Sequence, residues 1–162
     1  MRIENAEGLE YLETVRALFR EYETSIKVSL CFQGFEEELA SLPGGYARPN
    51  GRLLLAFDWD KAAGCGAFQH LESGVCEMKR LFVRPEHRGK AIGAALARAL
   101  IEQAREAGYS RMRLDTMPSM TRAIKMYRAL GFKEIPAYRF NPVPGSLFFE
   151  LQLAEVTVPG KL

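Results

Sequence analysis

The sequence predicts an α/β fold with a central mixed, largely antiparallel and twisted sheet of six to seven strands, flanked by about four helices. Three observations carry that prediction. Apolar residues recur every three or four positions in some segments and as short strand-like runs in others, which separates helices from strands. Three consecutive strand-like runs follow one another through tight turns, and the third is joined to the next by a helical crossover, which makes that pair parallel. Finally, 162 residues, 48% hydrophobic and 26% charged, are enough for one core that is stable without staples. Residues 1–162 are therefore read as a single domain, with a core of about 1–153 and a tail at 154–162.

Composition also excludes whole classes of function. A net charge of +2 lacks the concentrated basic excess of a polyanion binder, so no nucleic-acid partner is expected. The N-terminal residues lack an apolar signal core, and no stretch approaches the roughly 18 apolar residues of a membrane span. No membrane partner is expected, and the placement is cytoplasmic. Cys31, Cys65 and Cys76 are odd in number and widely spaced, and His70 and His87 lie far from them, so no metal site is expected.

The elements follow in order. Arg2 and Ile3 form a short strand, and Leu9, Leu12, Val15, Phe19 and Tyr22 mark a helix with one buried face. Phe35, Leu39 and Leu42 belong to a second, shorter helix. Residues 52–57 and 63–71 form a hairpin around Asp58, Trp59 and Asp60, and Glu72, Ser73 and Gly74 turn the chain again. In the next strand, 75–83, the apolar positions change parity: Cys76 and Met78 are even, whereas Leu81 and Val83 are odd. One extra residue near Lys79 and Arg80, a β-bulge, accounts for the switch. A strand end buried on both faces is the alternative.

Arg88, Gly89, Lys90, Ala91, Ile92, Gly93 and Ala94 then open a helix whose Ile92, Ala95, Leu96, Ala99 and Leu100 form an apolar stripe ending at Gly108. A strand, a glycine-bearing turn and a helix start together make an anion site, because the first helical N–H groups lack internal partners and the helix dipole adds about half a positive charge. Small residues would let a diphosphate approach, while Arg88 and Lys90 neutralise it. A plain capped helix with a basic surface is the competing reading. Lys90 is followed by Ala91, so there is no Walker-type motif, and no G-x-G-x-x-G follows the first strand. ATP and NAD are disfavoured. Residues 110–116 form the parallel strand, and Pro118 and Ser119 start a helix with Met120, Ala123, Ile124, Tyr127 and Leu130 on its buried face, stopped by Gly131. Strands at 132–135 and 147–153 enclose a long loop from Tyr138 to Gly145.

These residues resemble the GNAT acetyltransferase superfamily, over nearly the whole chain and most strongly over 78–133. The run from Leu81 to Gly93 looks like the family's acetyl-CoA signature, Q/R-x-x-G-x-G/A, with Ala91 in place of its first glycine. An alanine costs little in a helical conformation, so Ala91 is read as tolerated, although a position needing positive φ would make it a defect. The resemblance implies a GNAT fold splayed between its two central strands at the bulge. Backbone groups of Leu81, Phe82 and Val83 would hold the pantetheine arm, and Arg88, Gly89, Lys90, Ala91, Ile92, Gly93 and Ala94 the pyrophosphate. It also makes Tyr127 the proton donor beside the coenzyme sulfur. Met120 stands where many relatives have asparagine. Glu77 lies where some relatives keep a base, against the plainer reading of a strand glutamate paired with Lys79 or Arg113.

The implied reaction is direct attack of a neutral amine on the thioester, with backbone N–H groups at the bulge stabilising the oxyanion and Tyr127 protonating the thiolate. A phenol giving its proton to a thiolate is uphill by about 2 kcal/mol. Neutralising a lysine-like amine at pH 7 costs roughly 4.6 kcal/mol, against about 1 for an α-amino group. Tyr22, Phe35, Tyr46, Tyr138, Arg139 and Asn141 are the candidate acceptor-binding residues. The acceptor is expected to be a small-molecule or amino-acid-like amine. The alternative is an acyl-CoA sensor or partner module without transfer activity. The resemblance is also compatible with a homodimer.

Overall fold

Helical and strand periodicities resolve into four helices and seven strands in the computed structural model, which describes residues 1–31 and 34–154; the tail beyond Ala154 lies outside the described residues. In chain order they are β1 (Arg2–Asn5), α1 (Leu9–Ile26), α2 (Phe35–Ser41), β2 (Arg52–Asp58), β3 (Lys61–Glu72), β4 (Val75–Val83), α3 (Ile92–Glu106), β5 (Arg111–Thr116), α4 (Thr121–Ala129), β6 (Lys133–Ile135) and β7 (Leu147–Gln152). The strands form one sheet in the order β1-β2-β3-β4-β5-β7-β6. Every neighbouring pair is antiparallel except β4 and β5, which α3 connects. The final strand inserts between β5 and β6.

Each face of the sheet buries its own core. On one face, Leu96, Leu100 and Ala104 of α3 and Tyr127 of α4 pack on Leu54, Phe68, Cys76, Met112 and Phe149. On the other, Leu12, Val15, Leu18 and Phe19 of α1 and Phe35 and Leu39 of α2 cover Leu53, Leu55, Cys65, Ala67 and Phe82. A fully buried leucine or phenylalanine contributes about 1.5–3 kcal/mol, so these stripes rather than helix propensity fix the helices. Among the described residues no helix is long and apolar enough to cross a membrane.

The bulge is in β4. Cys65 pairs with Phe82 and Ala67 with Lys79, so three steps along β4 oppose two along β3. The extra residue restores Leu81 and Val83 to the face that already holds Cys76 and Met78, and all four pack in one cluster. Lys79 and Arg80, although consecutive, both fall on the opposite side. Arg80 reaches this arrangement at φ 61, a left-handed conformation that costs a non-glycine residue roughly 1–2 kcal/mol. Two contacts hold it there. Its Nε and Nη2 donate to Glu38 Oε2 and Oε1 at 2.8 and 2.9 Å, and its guanidinium lies over the Phe35 ring.

Beyond the bulge, the parallel pairing stops. β4 meets β5 only at Val75↔Arg111, Cys76↔Met112 and Glu77↔Arg113, after which the strands diverge. The rest of β4 has no ladder partner on that side.

The Arg80 side chain is 3% exposed and that of Glu38 15%, so breaking the pair strands a buried charge. Glu38→Gln should lower the unfolding free energy by about 3–5 kcal/mol in urea titrations. Glu36→Gln, on the same helix but paired with Arg20 at the surface, should cost under about 1 kcal/mol.

Candidate active site

The divergence of β4 and β5 opens a window through the sheet, lined by Tyr22, Met78, Lys79, Arg80, Leu81, Leu114, Asp115, Thr116, Met120 and Tyr127. Both faces supply it: Tyr127 comes from α4 and Tyr22 from α1. A second hollow shares Tyr22, Asp115, Thr116 and Met120 and continues to Ile26, Val28, Leu30, Asn141 and Val143.

Tyr127 is 7% exposed and wedged edge-on against Phe132. Burial, then the nearby Tyr22 and Asp115, raises its phenol well above the ordinary value, and no hydrogen bond contributes. Tyr22 is raised as well, chiefly by burial. Both therefore stay protonated across the neutral range. Met120 presents sulfur to the cleft, and the Thr116 hydroxyl donates to it at 3.5 Å.

The loop between β6 and β7 is tied across the sheet by two carboxylates. Tyr138 Oη donates to Glu77 Oε2 at 2.7 Å, and Arg139 Nη2 lies 3.2 Å from that oxygen and 2.8 Å from Asp115 Oδ1. Asn141 Nδ2 donates to Asp115 Oδ2 at 2.9 Å, while its own Oδ1 accepts from the Val143 N–H. Burial first, then the Glu77 carboxylate, pushes the Tyr138 phenol up. Glu77 is fully buried, and its Oε1 has no partner among the described residues.

At the far end of β4, a 3-10 turn (Pro85–His87) leads to α3. Asp58 organises this turn, accepting from Lys90 Nζ at 2.6 Å and lying 3.0 Å from His87 Nδ1; Arg88 Nε donates to Val83 O. Among the described residues no side chain caps α3, so its first N–H groups could accommodate an anion. Gly89 has φ 83, and a Cβ there would meet nothing within 4 Å, so the approach is open. Ala91 is not in the ordinary helical conformation that its tolerance presumes. It is the N-cap at φ 60 and ψ 22, where a Cβ is strained.

The structure thus places Tyr22 and Tyr127 together in the window and clamps Tyr138, Arg139 and Asn141 beside it. Phe35 and Tyr46 lie further back, Phe35 beneath Arg80 and Tyr46 against Phe19. Tyr46 lines a separate cavity of about 240 Å³ with Asn5, Arg48 and Arg52. Glu77 lies under the clamp and does not line the window. Four polar lining residues were not among the site residues expected from the sequence: Lys79, Arg80, Asp115 and Thr116. A signal existed for Asp115, because a central strand buried on both faces should be apolar, yet β5 carries Arg111, Arg113 and Asp115 on one face.

The profile described as the acetyltransferase (GNAT) family matches residues 12–132. The chain is 36% identical over 146 residues to an N-acetyltransferase of Schizosaccharomyces pombe named as uncharacterized, covering 89% of this chain and 90% of that one. It is 30% identical over 138 residues to the N-acetylaspartate synthetase of Mus musculus, covering 83% of this chain and 45% of that protein. The PaiA N-acetyltransferase of Thermoplasma acidophilum, solved in complex with coenzyme A, shares the fold with a TM-score of 0.71 at 20% identity, over 94% of this chain and 99% of that one.

Ala91→Gly removes the strain at the α3 N-cap at the cost of a more flexible unfolded chain, so it should stabilise the protein by up to about 1 kcal/mol in thermal unfolding. Destabilisation would contradict the left-handed geometry. Lys79 provides a pH test. Burial, then the charge of Arg80, lowers its ammonium to about 8. From there to about 10.4 the unfolded chain holds a proton that the folded one has lost, so stability rises with pH in that window and not below it. Urea titrations at pH 7.5 and about 9.5 should show that rise shrinking in Lys79→Met relative to the parent.

Proposed function

We propose a reaction for this chain from one premise: it belongs to the acetyltransferase (GNAT) family. It is an acetyl-CoA-dependent N-acetyltransferase. Acetyl-CoA supplies, when bound, an acetyl group activated as a thioester, with a thiol as the leaving group. The chain's own features fit that molecule. The uncapped N-terminus of α3 suits a pyrophosphate, with Arg88, Gly89, Lys90, Ala91, Ile92, Gly93 and Ala94 around it, and the unpaired stretch of β4 at Leu81, Phe82 and Val83 suits an amide-bearing arm.

The observation that carries the mechanism is Tyr127, brought by α4 to the window where β4 and β5 part. We assign its phenol the role of general acid, giving its proton to the departing sulfur. Burial keeps that proton in place before reaction. The same dry surroundings disfavour a free thiolate as well as a free phenolate, which favours a concerted transfer that forms neither as a separate anion. N–H groups at the β4 bulge would offer hydrogen bonds to the charge developing on the reacting carbonyl oxygen. Glu77 would accept the amine proton through a water held at its unpartnered Oε1, while its Oε2 keeps Tyr138 and Arg139 in position. Deprotonation costs about 1 kcal/mol at pH 7 for the α-amino group of a peptide chain, and more for that of a free amino acid, whose own carboxylate stabilises the ammonium, so a base helps such an acceptor.

An amino-acid-like primary amine is the acceptor in this proposal, approaching from the side closed by Tyr22, Tyr138, Arg139 and Asn141. The similarity to an N-acetylaspartate synthetase supports it. The free cysteines Cys31, Cys65 and Cys76 support a reducing, cytoplasmic setting, and the chain is taken to act as one domain.

Tyr127→Phe should lower kcat by about 10²- to 10⁴-fold while leaving the calorimetric Kd for acetyl-CoA within roughly twofold. Undiminished thiol release by the variant would remove Tyr127 as the acid.

A further inference from the structure

We infer that Lys79 is the anchor for the acceptor's carboxylate, so that the substrate is an amino acid with an apolar side chain rather than a bare amine. The inference rests on the acetyl-transfer reading. Its starting point is the bulge, which turns two consecutive cations to the same side of β4. Arg80 is neutralised by its bidentate contact with Glu38. Lys79 lines the window and, among the described residues, has no ion pair or hydrogen bond.

The neighbouring carboxylates are engaged elsewhere. Glu77 is held by Tyr138 and Arg139, and Asp115 by Arg139 and Asn141. Glu77 attracts Lys79 without contact, whereas Arg80 and burial work against its charge. A half-buried ammonium in this position lacks one thing, an anion arriving from outside the chain. Arg139, the other cation of this region, already lies between two carboxylates and is less able to serve.

The position of Lys79 says which anion. It lies opposite α3, whose N-terminus is the phosphate site, and beside Tyr22, on the side from which the acceptor enters. Because Lys79 lines the window itself, an amine placed there with its carboxylate on Lys79 carries the two groups close together, as in an amino acid. The remainder of such a molecule would extend into the adjoining hollow, whose Ile26, Val28, Leu30 and Val143 are apolar.

The test is thiol release from acetyl-CoA with matched pairs: leucine, valine and methionine against the amines left when each loses its carboxylate. The parent should favour the carboxylate-bearing member by about 100-fold or more in kcat/KM. Lys79→Met should bring that ratio towards one, with the loss falling on the amino acid, and Lys79→Arg should restore part of it. Equal use of both members by the parent, or a loss in Lys79→Met that leaves the ratio unchanged, overturns the inference. A second arm does not need turnover: lysine Nζ NMR, with Lys79 assigned by its loss in Lys79→Met, should show a shift on titration with isovalerate, and no shift overturns the inference. Absence of acetyl-CoA binding, or of thiol release with every amine, would instead sink the acetyl-transfer reading, and the isovalerate arm still decides the role of Lys79.

Discussion

One extra residue in β4, clamped by the ion pair between Arg80 and Glu38, is the constraint on which the site depends. Without it Leu81 and Val83 would point away from the core that receives them. With it, the parallel pairing stops after Glu77, and the gap between the strands becomes the place where side chains from opposite faces meet. The conformation of Arg80 is unfavourable on its own. A buried bidentate contact and the Phe35 ring offset that strain, so α2, which contributes little to the window itself, determines its shape.

The two halves of the α1 face are organised on different principles. Over β1 to β4 it is an apolar core under α1 and α2. Over β4, β5 and β7 it is polar, and its charges are matched in place: Arg113 with Glu150 and Glu72, Arg139 with Glu77 and Asp115. Charges of this kind, several of them largely buried, add less to stability than an apolar core would, but they orient whatever they hold. Here they hold the proline-bearing loop before β7 beside the window between β4 and β5. Glu77 therefore has a structural task whatever its part in proton transfer, and any variant at this position disturbs Tyr138 and Arg139 along with it.

The fold was readable because its signals are periodic. The parity change in residues 76–83 marked the bulge, the glycine-bearing run from Arg88 marked the opening of α3, and the stripe through Tyr127 marked α4. What was not readable depends on distant partners or on single torsion angles. Nothing local distinguishes Ala91 in a left-handed turn from Ala91 in a helix. Phe35 and Tyr46 are aromatic residues on early elements and look like pocket residues, yet packing draws them behind Arg80. Lys79 reads as an ordinary strand lysine until the contacts of Arg80 and Arg139 leave it as the cation of the window with no ion pair among the described residues.

The insertion of β7 between β5 and β6 has a consequence for the chain as it leaves the ribosome. β6 is hydrogen-bonded to β7 alone, and β5 has β7 as its antiparallel neighbour. Vectorial synthesis therefore delivers α3, β5, α4 and β6 well before the strand that joins the last two strands to each other. Until residue 152 has emerged, β5 presents a bare edge, and the loop that carries Tyr138 and Arg139 has no fixed end. The turn before α3 can form early. The clamped side of the window is assembled last, so under the proposed reaction a nascent chain would gain its pyrophosphate-binding turn while it still lacked the means to select a substrate.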